Sequence, residues 1–174
     1  AALPAASGPK PALPGGASLD VTGISPIVTP NDAFYRIDTA LVTPRVNVDD
    51  WQLTVKGLVD REARLTYEQL SELPLFEQFV TLACVSNEVG GDYIGTARWL
   101  GSPLADLLAE AGVQDGGDQI AMTSVDGWTC GFPTAVALDG RDALLAIGMN
   151  GEPLPVKHGF PARVVVPGLY GYVS

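Results

Sequence analysis

The pattern of hydrophobic and polar positions predicts several short strands rather than long helices. Residues 51–59 (WQLTVKGLV) alternate apolar and polar side chains, which is typical of a half-buried strand that ends at Gly57. Residues 79–85 (FVTLACV) form an almost continuous apolar run, which indicates a buried strand. Shorter apolar runs predict three further strands, over residues 119–125, 143–148 and 163–166.

Two segments carry the signals of short helices. Thr66 is a capping residue, and Pro74 stops the helix that Thr66 begins. We expect Ser102 and Pro103 to be the N-cap and first residue of a second helix, which ends before Gly112. These helices and strands predict an α+β fold, in which short helices pack on mixed or antiparallel sheets.

The first 24 residues differ in composition from the rest of the chain. They are rich in Ala, Pro, Gly and Ser and contain too little apolar surface to fold alone. We therefore predict a linker over residues 1–24 and a single domain over residues 25–174. Residues 25–44 have proline near both ends, which favours extended chain with turns. A linker in this place suggests an upstream element, and a membrane tether is one possibility.

Composition and charge narrow the classes of partner. The 174 residues are 47% hydrophobic and include 20 Gly and 14 Pro, as expected for a folded domain with many turns. The formal net charge of −10 argues against a nucleic-acid partner, because such proteins need a basic surface. An anion bound by this chain must be held by a few local basic groups.

Cys84 is the first residue with candidate chemistry. It lies at the end of a predicted buried strand, just before a Gly-rich loop over residues 87–96, where a side chain can enter a cleft. A cysteine thiolate is both a nucleophile and a metal ligand. Two other interpretations stay open: a buried free thiol, or a disulfide with Cys130.

His158 and Arg163 form a second candidate group. The histidine is the only one in the chain, and it lies in a Gly/Pro-rich turn five residues before the arginine. Turn N–H groups and a guanidinium can together hold a phosphate. The alternative is a surface histidine and an arginine at the edge of a strand. Two interpretations also stay open for residues 124–126 and 35–36, since each segment could form a turn or contact a polar ligand.

Other catalytic templates do not match. The sequence has no G-x-G-x-x-G after a strand, no phosphate-loop lysine motif and no G-x-S-x-G elbow. One histidine and two distant cysteines cannot form a common zinc site. The histidine has no identifiable serine partner for a triad, and a pairing of Cys84 with His158 stays open.

Four blocks, in order, resemble one known family. They read NDAFYRIDTALVTP, TLACVSNEVGGDYIGTARWLGSPLADLLAEAGV, SVDG and MNGEPLPVKHGFPARVVVPGLYGYVS. The chain from Ser25 to Ser174 resembles the molybdopterin-binding domain of sulfite-oxidase-like oxidoreductases, especially the membrane-tethered actinobacterial branch. The C-terminal part of that family's chain has no counterpart in these residues.

The resemblance implies a molybdenum–molybdopterin cofactor and places residues around it. Cys84 falls on the cysteine whose sulfur binds molybdenum, and Arg36 is the best candidate for a cation that faces the substrate. These two are the implied catalytic residues. The implied cofactor-binding positions are Asn31, Tyr35, Arg36, Cys84, Ser124, Val125, Asp126, His158, Arg163 and Ser174.

The resemblance also implies an activity. We expect two-electron oxygen-atom transfer on a small-molecule substrate, with electrons exchanged with a haem or membrane partner. We expect an extracytoplasmic, membrane-anchored location. We do not expect sulfite to be the substrate. Glu88 stands where sulfite oxidases carry a basic residue, and Ile37-Asp38 replaces their usual Asn-His. The rival hypothesis is an extracytoplasmic binding module in which Cys84 is structural and no redox cofactor is bound.

Overall fold

The computed structural model describes residues 2–19, 21–38, 40 and 42–173. Within these residues, short strands and helices follow one another along the chain. They are β1 (Gln52–Val55), β2 (Ala63–Thr66), α1 (Tyr67–Glu72), β3 (Phe76–Ala83), β4 (Ile94–Pro103), α2 (Leu104–Ala111), β5 (Gln119–Thr123), β6 (Thr129–Pro133), α3 (Thr134–Leu138), β7 (Leu144–Met149), β8 (Glu152–Pro153) and β9 (Arg163–Val165). Single 3-10 turns cover Val48–Asp50, Val156–His158 and Gly171–Val173.

A five-stranded antiparallel sheet forms the centre of the domain. Its order is β3-β4-β7, and β8 and β9 both pair with β7. All six residues of β7 are buried, as expected for a strand covered on both faces. A bulge follows Leu100 of β4, where a side chain at Gly101 would collide with the carbonyl of Leu145.

The two faces of the central sheet pack into two separate hydrophobic clusters. Along β7, Leu145 and Ile147 belong to the cluster that includes α1, α2 and α3. Leu144 and Ala146 point to the opposite cluster, which contains Trp99. This alternation follows from the two-residue period of a strand. The hairpins β1–β2 and β5–β6 are separate two-stranded sheets.

The helices begin close to their predicted starts. Thr66 caps α1 in a complete capping box: its hydroxyl accepts from Gln69 N, and Gln69 Oε1 accepts from Thr66 N. The predicted cap at Ser102 is wrong by one residue, because Ser102 pairs with Leu145 in the sheet and Pro103 is the N-cap of α2. No helix among the described residues is long and apolar enough to cross a membrane.

Several elements were absent from the sequence prediction. Strand β4 begins inside the predicted Gly-rich loop and continues through Gly101 and Pro103, residues with low strand propensity. Strand β6 and helix α3 are also new, as is β8. Pairing with β3 and β7 on its two edges holds β4 in the sheet, so tertiary contacts override local preference.

The segment predicted as a linker contacts the domain near its beginning. Ser7 N donates to Leu75 O at 2.7 Å, and Leu75 N donates to Ser7 Oγ at 3.1 Å. Leu3 and Ala6 pack against the helical cluster. Residues 21–26 are exposed. The division at residue 24 stays a prediction.

Candidate functional site

A cleft of about 1220 Å3 opens between the central sheet and the two hairpins. It brings together eight of the ten predicted cofactor-binding residues. These are Tyr35, Arg36, Cys84, Ser124, Val125, Asp126, His158 and Arg163. Asn31 does not line this cleft but a separate, smaller pocket, and Ser174 lies outside the described residues.

Cys84 presents its sulfur at the end of β3. Its N–H donates to Tyr93 O at 2.8 Å, and its carbonyl accepts from Asn87 N at 3.0 Å, which closes a turn. The Sγ atom lies 3.1 Å from Ser86 Oγ. Hydrogen bonds from the Ser86 side chain, and then from its backbone N–H, lower the pKa of the Cys84 thiol. This environment favours the thiolate, which is the metal-binding form.

Cys130 provides an internal comparison. Both cysteines are free, so the structure does not contain the alternative Cys84–Cys130 disulfide. Cys130 lies on β6, and its Sγ is 3.8 Å from Val173 O. Burial raises the pKa of the Cys130 thiol, so its protonated form is favoured. The two thiols therefore differ in chemistry although both line the cleft.

His158 is buried, which corrects the alternative of a surface histidine. It is 4% exposed, and its ring meets the edge of Phe34 with centroids 5.5 Å apart. Its Nε2 is 2.9 Å from the carbonyl of Asn31, so this nitrogen carries the proton and donates. Burial is the main reason that the pKa of His158 is lowered, and its neutral form is favoured.

Arg163 lies beside His158 at the start of β9. Its Nη1 donates to His158 O at 3.1 Å, and its guanidinium lies 5.3 Å from the centre of the Trp99 ring. The residue as a whole is only partly buried, but its Nε atom is inaccessible to solvent. Burial lowers the pKa of Arg163 to about 10, which leaves it charged at neutral pH. A cation shielded in this way attracts an anion with little screening.

Tyr35 and Arg36 both line the cleft, where Tyr35 is half-buried and Arg36 is exposed. The Tyr35 ring stacks on Phe34 at 5.3 Å, and burial raises its pKa. A side chain at Gly171 would collide with the Tyr35 hydroxyl, so this glycine permits a close approach. Arg36 donates from Nε and Nη2 to Asp38 Oδ2 at 3.1 and 2.5 Å. The predicted substrate-facing cation is thus paired with a carboxylate.

Residues 124–126 form the turn of the β5–β6 hairpin on the opposite rim. Ser124 Oγ donates to Asp126 Oδ1, and Trp128 N donates to the same oxygen at 3.1 Å. These bonds, that of Ser124 first, lower the pKa of Asp126 against the smaller opposing effects of burial and then of Asp38. Val125 is exposed. The turn interpretation is therefore correct, and the same turn also lines the cleft.

The side chain of Asn150 connects several segments beside the cleft. The sequence had indicated only the turn that this residue forms. Its φ of 54° and the positive φ of Gly151 form the predicted tight turn. Its Nδ2 donates to Thr29 O and to Asn31 Oδ1, at 2.9 and 2.8 Å. Its Oδ1 accepts from Arg98 N at 2.9 Å. Asn150 thereby fixes the loop in which the carbonyl of Asn31 accepts the hydrogen bond from His158.

Three more residues of the site were missed by sequence reasoning. Phe34 lines the cleft and packs edge-on against Trp99 behind it, with ring centroids 5.9 Å apart, and Ser86 contacts the cysteine sulfur. Ser86 follows Cys84 by two residues in a turn, and that spacing was a usable signal. The aromatic pair had no such signal, because its members are 65 residues apart in sequence.

The donor set fits a metal that brings most of its own ligands. Among the described residues, no three His, Cys, Asp or Glu side chains cluster in a way that could hold a metal ion. The cleft instead offers one thiol with a lowered pKa, together with a neutral histidine and a shielded arginine. A metal carried by a polar, anionic organic group would match this set, with the metal at the thiol and the anionic group at the histidine and arginine.

Comparisons with known proteins agree with this geometry. Residues 40–174 match the family described as oxidoreductase molybdopterin binding domain. The chain is 36% identical over 168 residues to mitochondrial sulfite oxidase of Homo sapiens, covering 83% of this chain and 31% of that protein. It is 32% identical over 155 residues to the uncharacterized oxidoreductase YuiH of Bacillus subtilis (strain 168), covering 89% of this chain and 71% of YuiH.

A solved structure has the same fold. The sulfane dehydrogenase SoxCD from Paracoccus pantotrophus superposes with a TM-score of 0.77 at 28% sequence identity. The match covers 87% of this chain and 42% of that one. The chain therefore spans about a third of the human sulfite oxidase and less than half of the SoxCD chain.

Proposed function

Because this chain belongs to the sulfite-oxidase-like family of molybdopterin-binding oxidoreductases, we propose that it catalyses two-electron oxygen-atom transfer on a small substrate. The family and fold resemblance stated from the four sequence blocks is confirmed, and molybdopterin is the cofactor of this family. The observation that carries the proposal is the shared cleft, where the Cys84 thiol faces the same space as His158 and Arg163.

Different residues of the cleft would bind different parts of the cofactor. Cys84 would bind the metal through Sγ, because its hydrogen bonds favour the deprotonated form. Arg163, beside His158, would hold the anionic end of the cofactor, while Tyr35 and the turn at residues 124–126 line the space between that end and Cys84. When bound, the molybdenum centre supplies two-electron oxygen-atom chemistry, and the protein supplies orientation and charge.

The pairing of Arg36 with Asp38 favours a neutral substrate over an oxyanion. These two side chains form an ion pair in the lining of the cleft, and Glu88, outside that lining, is exposed on the loop that follows Cys84. An organic S-oxide or N-oxide fits these charges better than sulfite does. Its reduction would consume two electrons and two protons and release water, and the reverse oxidation would take its oxygen atom from water. Arg36 would then orient a substrate oxygen through a hydrogen bond rather than through net charge.

The electron partner and the location are further parts of the proposal. Electrons would be exchanged one at a time with a haem or membrane partner, as the sequence blocks of the membrane-tethered branch suggest. The protein would then act on the extracytoplasmic face, anchored by an element upstream of residue 1. Fractionation of cells that express the full-length protein tests this part independently of the catalytic chemistry.

Metal analysis tests the central proposal. Protein expressed in a host that makes molybdopterin should contain molybdenum close to one atom per chain. Cys84→Ser should abolish this molybdenum, because a hydroxyl does not replace a thiolate as a soft ligand. Cys130→Ser is the matched control and should keep the metal, since that thiol is favoured in its protonated form.

Two results would contradict the proposal. One is a wild-type protein that carries no molybdenum from a competent host. The other is molybdenum bound equally by wild type and by Cys84→Ser. Either result would favour the rival hypothesis of a binding module with a structural Cys84.

A further inference from the structure

The turn that follows β3 folds one side chain back onto the cysteine sulfur. Asn87 N donates to Cys84 O at 3.0 Å, so residues 84–87 form a closed turn with Ser86 as its third residue. In this position, Ser86 Oγ lies 3.1 Å from Cys84 Sγ. Val85, the second residue of the turn, has a side chain that is 60% exposed.

This turn is held in place by the loop that it begins. Asn87 Oδ1 accepts from Tyr93 N at 2.8 Å, and Tyr93 O accepts from Cys84 N at the same distance. A Cβ at Gly91 would lie 3.0 Å from Asn87 Oδ1, so the chain closes tightly around the asparagine amide. The backbone of the loop therefore sets the position of Ser86, independently of any ligand.

The direction of the hydrogen bond depends on the state of the sulfur. With a neutral thiol, either group can donate. A thiolate bound to a metal has no proton, so only the Ser86 hydroxyl can donate. Hydrogen bonds to a metal-bound sulfur withdraw electron density from it and shift the reduction potential of the metal.

We propose that Ser86 is a positioning residue that donates a hydrogen bond to Cys84 Sγ, aims the sulfur into the cleft and raises the reduction potential of the bound molybdenum. This inference rests on the proposed function, because it needs the metal on Cys84. It goes beyond that function by assigning a tuning role to a residue that is neither a ligand nor a substrate contact.

The test compares four variants of the holoenzyme. Ser86→Ala and Ser86→Gly remove the hydroxyl, Ser86→Thr keeps it, and Val85→Ala alters the neighbouring side chain of the same turn. The measurements are molybdenum per chain, the midpoint potential of molybdenum by redox titration, and the spectrum of the paramagnetic Mo(V) state. The protein is purified from the host that makes molybdopterin.

We expect Ser86→Ala and Ser86→Gly to have a lower midpoint potential than wild type and an altered Mo(V) spectrum. Ser86→Thr and Val85→Ala should keep the wild-type potential. If both hydroxyl-less variants also lose molybdenum while Ser86→Thr retains it, the positioning role is supported directly. A merely structural role would change the unfolding midpoint without moving the potential.

Two outcomes would overturn the inference, and they are distinguishable. If Ser86→Ala is fully loaded and its potential equals that of wild type, Ser86 has no tuning role and the proposed function is unaffected. If wild type itself contains no molybdenum, the proposed function fails and this inference fails with it. Equal loss of molybdenum in Ser86→Thr and Ser86→Ala would also overturn it, since the hydroxyl would then make no difference.

Discussion

The inner wall and the outer rim of the cleft are built in opposite ways. The inner wall consists of Phe34, His158 and Arg163, supported from behind by Trp99 and Asn150, and its contacts join residues that are far apart in sequence. His158 and Asn31, for example, are separated by 127 positions. The outer rim consists of the turns at residues 84–87 and 124–128. Its hydrogen bonds join residues that are two to nine positions apart.

This difference teaches which parts of the site depend on the fold. The wall exists only when the central sheet and the N-terminal segment are assembled, so damage to it should reduce both stability and cofactor binding. The rim is formed by local turns, so its side chains can change chemistry at little cost in stability. The proposed metal ligand, Cys84, thus lies on the part of the site that is easiest to vary, and the residues proposed to hold the anion lie on the most constrained part.

The largest expected effect comes from removing the buried tryptophan that supports the wall from behind. Trp99 is 0% exposed, so Trp99→Ala should destabilise the fold by roughly 4 kcal/mol, the cost of an unfilled aromatic site. Trp128 on the rim is 42% exposed, and Trp128→Ala should cost less than about 1 kcal/mol. Urea denaturation followed by circular dichroism measures both. Equal losses in the two variants would erase the distinction between wall and rim.

Asn150 is expected to give the second largest effect. Asn150→Ala removes three side-chain hydrogen bonds and places alanine at a positive φ, so we expect a loss of about 3 kcal/mol. Asn150→Gly tolerates this φ and should lose about 2 kcal/mol, the hydrogen-bond part alone. Denaturation curves separate the two costs. If Asn150→Gly were as stable as wild type, the side chain would have no structural role.

The smallest effect is a pH dependence that belongs to the wall. The pKa of His158 is lowered in the folded protein, chiefly by burial, so the unfolded chain binds a proton more readily. The contribution of His158 to stability is therefore fully present above the unfolded-state pKa, and it falls as the pH drops from there towards the folded-state pKa. His158→Gln should show a flatter stability profile through that range, measured by thermal unfolding at successive pH values. Parallel profiles for the two proteins would contradict a buried neutral imidazole.

Local features of the fold were predictable because each depends on a few adjacent residues. The capping box at Thr66 and the tight turn at Asn150-Gly151 are examples, since cap and turn residues satisfy backbone geometry within a few positions. The strand that leads to Cys84 was predicted from its apolar run, but its burial was not: β3 ends at Ala83, lies at the edge of the sheet and buries only Val80 and Leu82. Strand β4 was not predicted, since its glycines and proline argue against a strand until both neighbours are known.

The candidate site was predictable in membership but not in arrangement. Eight predicted residues share one cleft, because the four sequence blocks each carry a recognisable local motif. The pairing of Arg36 with Asp38 was missed, although the two residues are close in sequence, because nothing in their spacing distinguishes an ion pair from a free cation. The position of Asn31 outside the cleft was missed because it depends on Asn150 and His158.

The sequence by itself determined the local chemistry: a thiol after a strand, a serine two residues later, and a histidine and arginine five residues apart. Tertiary structure alone decided that the thiol opens into the same cleft as the arginine, and that the histidine is buried and neutral. The physical reason is range. Backbone propensities and turn hydrogen bonds act over a few residues, whereas burial and charge depend on segments that meet only when the sheet forms.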